Sequence, residues 1–109
     1  WKITAKQIGQ TIAIIHNQDI IHSDLTTSNM ILKQGKVFFI DFGLSYHSKK
    51  IEDKAVDLHL LKQAFEAKHF SIYTQAINTI LENYNPEKRE DILNQLKKVE
   101  TRGRYKDKY

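Results

Sequence analysis

The chain has 109 residues, of which 40% are hydrophobic and 28% are charged. This length and composition allow one modest hydrophobic core and show no sign of disorder or of a second domain. The absence of cysteine excludes a disulfide framework and thiolate metal ligands, which favours a reducing compartment and hence a cytoplasmic location. The sequence has no apolar run long enough to span a membrane, and a formal net charge of +4 favours an anionic partner such as a nucleotide or RNA.

The first predicted element is a buried helix that starts at about residue 3 and ends near Asn17. Its apolar residues recur at helical spacing: Ile8, Ile12 and Ile15. The apolar pair Ile20 and Ile21 then predicts a short strand, which would hold the following loop, residues 20–29, in a fixed position.

Two short apolar runs, residues 30–32 and 37–40, predict a β-hairpin. Gly35 lies between them and can supply the positive φ that a tight turn needs. The hairpin places Asn29 just before its first strand and Asp41 just after its second. Because antiparallel strands bring these two ends together, Asn29 and Asp41 are predicted to converge.

Three more helices are predicted after the hairpin. One covers about residues 53–68 and a second about residues 72–84, each with an apolar stripe. Asn85 as N-cap and Pro86 at the first helical position then predict the start of a last helix, which residues 102–104 are expected to end. The predicted fold is therefore mainly α-helical with one short hairpin.

Three polar side chains have the types and the order that phosphoryl transfer uses: Asp24, Asn29 and Asp41. Either signature, His22-Ser23-Asp24 with Asn29 or Asp41-Phe42-Gly43, would be weak alone, since an isolated Asp in a turn is more often a cap. A positioned carboxylate aligns the attacking hydroxyl or water, so Asp24 is the predicted catalytic residue. Asn29 and Asp41 offer hard oxygen ligands of the kind that Mg²⁺ takes together with phosphate and water, so they are the predicted metal ligands.

Four nearby residues are predicted to support this site. Phe42 is expected to pack in the core below it, Gly43 to permit a sharp turn, and His22 to pack beneath Phe42 with its nitrogens bonded to backbone. Asp57 lies in an apolar stretch, where a carboxylate needs partners, so it is predicted to accept hydrogen bonds from N–H groups of residues 20–24. The alternative is that Asp57 faces solvent. The remaining histidines have no metal-ligand spacing and are assigned to the surface or to the core.

The strings IIHSDLTTSNMIL, FIDFGLS and EDKAVDLHLLKQAF resemble the PRPK (Bud-type) family of small atypical kinases, the ATPase subunits of the KEOPS complex. The resemblance runs from about residue 8 to residue 105. It implies a protein-kinase-like C-terminal lobe over residues 1–109, in which residues 41–43 form the metal-binding motif. In that lobe Asp24 would be the catalytic Asp, Asn29 and Asp41 would hold Mg²⁺, and Asp57 would support the catalytic loop.

The same resemblance implies ATP and Mg²⁺ as cofactors, and ATP hydrolysis that supports threonylcarbamoyladenosine formation in tRNA. The implied partners are the transferase subunit, other KEOPS subunits and tRNA. The family is related to Ser/Thr protein kinases, but two departures disfavour peptide phosphorylation. The segment between Gly43 and Asp57 is too short for a peptide-presenting activation segment, and Thr26 stands where most protein kinases have a phosphate-contacting Lys. Ser23 stands where the family often has Gly and other kinases have Arg.

Two further features of the family are relevant. The Gly-rich loop and the strand Lys that cover the nucleotide phosphates do not precede Trp1, so the N-terminal lobe is expected to be missing from this sequence and ATP binding by it to be poor. The basic end, residues 101–109, predicts a flexible segment that contacts tRNA or the transferase subunit. The basic residues of this segment are Arg102, Arg104, Lys106 and Lys108. A solvated basic terminus is the alternative.

Two other functions stay open. A small-molecule kinase of the aminoglycoside or choline type uses a similar set of residues, although residues 30–43 leave no space for its substrate-binding insertion. A scaffold with vestigial catalytic residues is the third possibility; the intact Asp24, Asn29 and Asp41 speak against it.

Overall fold

Four α-helices make up most of the chain in the computed structural model, which describes residues 1–107 and the side chains of residues 1–102. They are α1 (Lys2–Asn17), α2 (Ile51–Lys68), α3 (Tyr73–Glu82) and α4 (Arg89–Asp107). Helix α1 packs against α3, and α2 packs against α4. The mainly helical prediction is confirmed. No helix within residues 1–107 combines the length and the apolar character that crossing a membrane would require.

The predicted hairpin is present as β2 (Met30–Lys33) and β3 (Lys36–Phe39), with Met30 opposite Phe39. Its two turn residues, Gln34 and Gly35, both have positive φ, at 52° and 74°. That combination is what a two-residue turn needs to match the twist of its strands.

The edge of the hairpin is attached to α1 by one glutamine. Gln7 donates from Nε2 to the carbonyl oxygen of Gly35 at 2.7 Å, and its Oε1 accepts from the backbone N–H of Val37 at 3.0 Å. The side-chain amide therefore bonds to this edge as the peptide group of a neighbouring strand would.

A second antiparallel pair was not predicted. Strand β1 (Ile20–Ile21) pairs with β4 (Tyr46–His47), so that Ile20 lies opposite His47 and Ile21 opposite Tyr46. This pairing joins the start of the loop of residues 20–29 to the segment that follows Asp41. Because this loop carries the predicted catalytic Asp24, we call it the catalytic loop.

The core lies between the four helices, each of which contributes a fully buried aliphatic side chain: Ile12, Leu58, Ile80 and Ile92. Helices α1 and α3 approach each other most closely at Gly9, where a Cβ would lie 2.1 Å from the carbonyl oxygen of Ile80. Leu25, which is also buried, attaches the catalytic loop to this core.

The predicted start of the last helix is wrong. Helix α4 begins at Arg89 instead of Pro86, because Lys88 has a left-handed φ of 59° that interrupts any helix before it. Three hydrogen bonds hold this loop in place, one of them long-range. The Arg89 side chain donates to the carbonyl oxygens of Leu81 and Tyr84 at 2.8 Å, and the N–H of Glu87 donates to Asn17 Oδ1 at 2.8 Å.

The predicted end of the last helix is also wrong. Helix α4 continues through Gly103 to Asp107 instead of stopping at residues 102–104. A single glycine costs a helix only about 1 kcal/mol, so it need not end one. The segment of residues 101–107 is therefore helical, and not the irregular tail expected from its composition.

Candidate active site

His22 connects the segment that carries Asp24 to the segment that carries Asp41. Its ring is fully buried. Nδ1 accepts the backbone N–H of Asp24 at 3.1 Å, while Nε2 donates to the carbonyl oxygen of Ile40, the residue before Asp41, at 2.8 Å. A single neutral imidazole with its proton on Nε2 satisfies both bonds. The two segments that carry the predicted catalytic and metal-binding carboxylates are thus held together through one ring.

Asp24 and Asn29 are in direct contact. Asn29 Nδ2 donates to Asp24 Oδ2 and to the backbone oxygen of Asp24, both at 2.9 Å. Because both contacts use the amide nitrogen, the amide oxygen of Asn29 points away from the Asp24 carboxylate. The arrangement fixes the orientation of the carboxylate and leaves an amide oxygen available for a cation.

Asn29 and Asp41 lie at the same end of the hairpin. The backbone N–H of Ile40 donates to the carbonyl oxygen of Asn29 at 2.9 Å, which places Asp41 one residue beyond the partner of Asn29. Asp41 has a left-handed backbone, with φ at 59° and ψ at 63°, and its side chain makes no capping bond to the short 3₁₀ turn Phe42–Leu44 that follows it.

This pair of residues fits a Mg²⁺ ion. The donors are one carboxylate and one amide oxygen, both hard ligands, and the remaining positions of an octahedral ion are commonly filled by phosphate and water. Among the described side chains, those of residues 1–102, no group of three or more His, Asp or Glu could hold a metal without such additional ligands.

Asp57 lies behind the catalytic loop and is fully buried. Its Oδ2 accepts the backbone N–H of His22 at 3.0 Å, and its Oδ1 accepts the N–H of Ser23 at 3.0 Å. These are the hydrogen bonds predicted from its apolar surroundings. Ser23 has a left-handed φ of 73°. The φ of Ser23 acts after its own N–H group, so this left-handed backbone sets the direction of the chain that continues to Asp24 and not the direction of the two donors.

The sequence did not reveal the third partner of Asp57. His16 Nε2 lies 2.8 Å from Asp57 Oδ2, and its Nδ1 lies 2.7 Å from the hydroxyl of Tyr84. All three side chains are fully buried. A histidine near the end of a helix is compatible with a core or a surface position, and its partners are distant in the sequence, so only the folded chain brings this group together.

The loop is also fixed at its start, by Asp19 and Lys54. Asp19 has a left-handed φ of 60°, and Lys54 Nζ donates to its Oδ1 at 2.9 Å. This hydrogen bond is the main reason why the pKa of Asp19 lies below its usual value; the charges of Lys54, Lys49 and His47 act in the same direction. The contact attaches the residue before β1 to helix α2.

One expectation for the metal-binding motif is corrected. Phe42 does not pack in the core: its side chain is 39% exposed, although its ring contacts His22 with a centroid separation of 4.5 Å. Gly43 lies in the 3₁₀ turn Phe42–Leu44. The left-handed residue at this turn is Asp41, and an aspartate tolerates that conformation better than most residues.

Several apolar side chains are exposed along the hairpin and on the turn that follows Asp41. We call this set the hairpin face; its six side chains are between 38% and 66% exposed and belong to Ile31, Leu32, Phe38, Ile40, Phe42 and Leu44. A concentration of exposed apolar side chains is typical of a surface that meets a partner.

Of the four basic residues predicted to contact tRNA, the structure describes the side chain of Arg102. Arg102 forms an ion pair with Glu52 of α2, so its guanidinium is directed at the lobe itself. The side chains of Arg104 and Lys106 lie outside the described residues, as does the whole of Lys108. Contact with tRNA or a partner stays a prediction for these residues.

The sequence is similar to a family of known proteins. The sequence matches the RIO domain family over residues 1–76. It is 41% identical over 107 residues to the KEOPS complex subunit Bud32 of Pyrococcus abyssi, covering 94% of this chain and 49% of that protein. It is 46% identical over 105 residues to the EKC/KEOPS complex subunit bud32 of Dictyostelium discoideum, covering 93% of this chain and 41% of that protein.

A third relative is a longer protein. The chain is 44% identical over 104 residues to a probable bifunctional tRNA threonylcarbamoyladenosine biosynthesis protein of Methanobrevibacter smithii, covering 93% of this chain and 19% of that protein. The chain thus spans about half, or less, of the length of the curated relatives it matches. From the family match and the geometry of the site together, the chain belongs to the RIO-domain kinase family.

Proposed function

We propose that this chain is the catalytic C-terminal lobe of a KEOPS-type subunit that hydrolyses ATP in support of threonylcarbamoyladenosine formation in tRNA. The observation that carries the proposal is the contact between Asn29 and Asp24, which orients a carboxylate and leaves the amide oxygen of Asn29 available, at the end of the hairpin that also carries Asp41. The named functions of the relatives supply the biological setting.

Each residue has a distinct role in this proposal. The Asp24 carboxylate, held by the Asn29 amide, aligns the attacking water and accepts its proton as the water oxygen bonds to the γ-phosphorus of ATP. The bond between that phosphorus and the bridging oxygen breaks at the same time, and ADP leaves with this oxygen. Asn29 Oδ1 and the Asp41 carboxylate would hold the Mg²⁺ ion of Mg·ATP. When bound, that ion would neutralise developing charge on the phosphate oxygens. His22 keeps these segments in register through its bonds to Asp24 and Ile40.

Water is favoured over a peptide hydroxyl as the nucleophile by the short segment before α2. The 3₁₀ turn Phe42–Leu44 and strand β4, which pairs with β1, leave only residues 48–50 before α2 begins. A conventional kinase presents its peptide on a long loop at this place. The tight turn of the hairpin likewise gives no room for the insertion that small-molecule kinases use for their substrates.

The hairpin face is proposed to meet the remainder of a longer polypeptide, with the nucleotide bound between the two. The relatives are at least twice as long as the aligned region. The face adjoins Asp41, where the phosphates would lie, and its apolar side chains would be removed from water by such a partner.

The test is the rate of ATP hydrolysis by the full-length protein, with Mg²⁺, alone and with tRNA and the transferase subunit. We expect turnover that the partners stimulate and that Asp24→Asn and Asp41→Ala each reduce by about 10²-fold or more. Asp91→Asn is the matched control, since Asp91 is exposed in the first turn of α4, and it should leave turnover unchanged.

Other outcomes would favour the alternatives. Full activity in either active-site variant would contradict the assigned roles. No hydrolysis in any mixture would favour a scaffold. Phosphate transfer to a protein or to a small molecule, measured with labelled ATP, would favour a Ser/Thr-type kinase or an aminoglycoside-type kinase.

A further inference from the structure

Tyr84 is a buried polar residue that the proposed chemistry does not use. It follows α3, and its side chain is fully buried. Its position is fixed from two sides: the hydroxyl lies 2.7 Å from His16 Nδ1, and its backbone oxygen accepts a hydrogen bond of 2.8 Å from Arg89 Nε. Burial and the charge of Asp57 raise the pKa of this hydroxyl, so it keeps its proton.

The direction of the hydrogen bonds follows from the acceptors. A carboxylate only accepts, so the 2.8 Å contact between His16 and Asp57 requires a proton on His16 Nε2. In the tautomer that carries its one proton on Nε2, Nδ1 is an acceptor, and the Tyr84 hydroxyl donates to it. Asp57 and Tyr84 thereby favour the same tautomer of His16, and Tyr84 supplies the donor for the buried ring nitrogen that Asp57 does not contact.

The chain of contacts continues to the catalytic loop. Asp57 Oδ2 accepts both His16 Nε2–H and the N–H of His22, and Oδ1 accepts the N–H of the strained Ser23. Asp24 is the next residue. The Tyr84 hydroxyl is therefore linked to the backbone beside Asp24 through two side chains, the imidazole of His16 and the carboxylate of Asp57. Loss of the hydroxyl would act on this backbone through them.

We infer that Tyr84, acting through His16 and Asp57, is a positioning residue for the loop that carries Asp24. The effect on turnover rests on the proposed ATP hydrolysis, whereas the effect on the loop backbone does not. Tyr84→Phe removes only the hydroxyl and leaves His16 Nδ1 buried without a donor.

The test uses two readouts on the full-length protein. In Tyr84→Phe we expect kcat for ATP hydrolysis to fall about fivefold, the factor that corresponds to one buried hydrogen bond, with KM for Mg·ATP within twofold of wild type. Amide hydrogen exchange at His22 and Ser23, followed by NMR, should become faster by a similar factor.

Ile80→Val is the matched control. Ile80 is fully buried on α3, near Tyr84 in the sequence, and removal of one methylene there lowers stability about as much as loss of the hydroxyl. It should leave kcat unchanged and should not speed exchange at His22 and Ser23. If Tyr84→Phe behaves like Ile80→Val in either readout, the inference is overturned.

A second variant isolates the path through His16. In His16→Gln the amide nitrogen can replace Nε2 as donor to Asp57, but no atom remains at the place of Nδ1 to meet Tyr84. The variant should reproduce the effect of Tyr84→Phe, and the double variant should show no further loss of kcat. If instead the losses of kcat in the two single variants add up in the double variant, Tyr84 does not act through His16 and the inference is overturned. If Tyr84→Phe does not fold, His16→Gln alone carries both readouts.

Failure of the proposed ATP hydrolysis can be distinguished from failure of the inference about Tyr84. If the wild-type protein hydrolyses no ATP in any mixture, the proposed function fails, and hydrogen exchange alone decides the inference. If wild type is active and Tyr84→Phe alters exchange but not kcat, Tyr84 has no positioning role in catalysis and the inference is overturned.

Discussion

Replacement of Asp57 by asparagine tests whether the buried carboxylate holds the catalytic loop. The carboxylate accepts three hydrogen bonds, from His16 at 2.8 Å and from the N–H groups of His22 and Ser23 at 3.0 Å each. Asparagine has a single acceptor oxygen, and its NH₂ group is a donor. At least one backbone N–H would therefore face another donor.

The expected cost follows from these contacts. The favourable orientation places the amide nitrogen toward Ser23 and leaves that N–H buried without an acceptor, which costs about 1–3 kcal/mol. The two bonds that remain lose a charged acceptor, which weakens each by about 1 kcal/mol. Asp57→Asn is thus expected to lower the free energy of unfolding by about 3–5 kcal/mol.

Equilibrium unfolding of the full-length protein in urea measures this loss, with ATP turnover followed in parallel. Asp91→Asn makes the same chemical change at an exposed position and should stay within about 0.5 kcal/mol of wild type. A loss below about 1 kcal/mol for Asp57→Asn would refute the reasoning, since it would mean that the three hydrogen bonds contribute little.

Three further predictions concern the backbone and one ion pair. Gly9→Ala should lower stability by about 2 kcal/mol or more, although alanine normally favours a helix, because its Cβ would lie 2.1 Å from the carbonyl oxygen of Ile80; an unchanged melting temperature would contradict this close contact. Ser23→Gly should raise stability by about 0.5–1 kcal/mol, because serine at a φ of 73° is strained, and a lower melting temperature would speak against that strain. Lys54 lowers the pKa of Asp19, so the stabilisation from this pair is present above the ordinary pKa of aspartate and is lost as the pH falls through the lowered value. In Lys54→Met the Asp19 carboxyl should titrate at higher pH in a ¹³C NMR experiment, and an unchanged titration would exclude Lys54 as the cause.

The parts of the fold that the sequence predicted depend on local patterns. Gly35 and two apolar runs were enough to predict the hairpin, and the antiparallel register then required Asn29 and Asp41 to share one end. A carboxylate in an apolar stretch must be bonded, so the backbone partners of Asp57 could also be predicted. The catalytic and metal-binding roles of these residues stay predictions.

The parts that were missed depend on long-range contacts. Lys88 is left-handed in a loop that the hydrogen bond from Glu87 to the distant Asn17 helps to hold, so Pro86 could not start α4 despite its favourable local sequence. Strand β4 has two residues, too few for any periodicity. His16 gave no local signal, because its partners come from α2 and from the loop after α3.

The hairpin face also determines how this stretch of polypeptide would behave when produced by itself. Exposed apolar side chains promote association in water, and unpaired strand edges recruit other chains. Only the β3 side of this hairpin is occupied by Gln7. A preparation of residues 1–109 would therefore self-associate as its concentration rises. Its apparent mass in light scattering would measure this self-association.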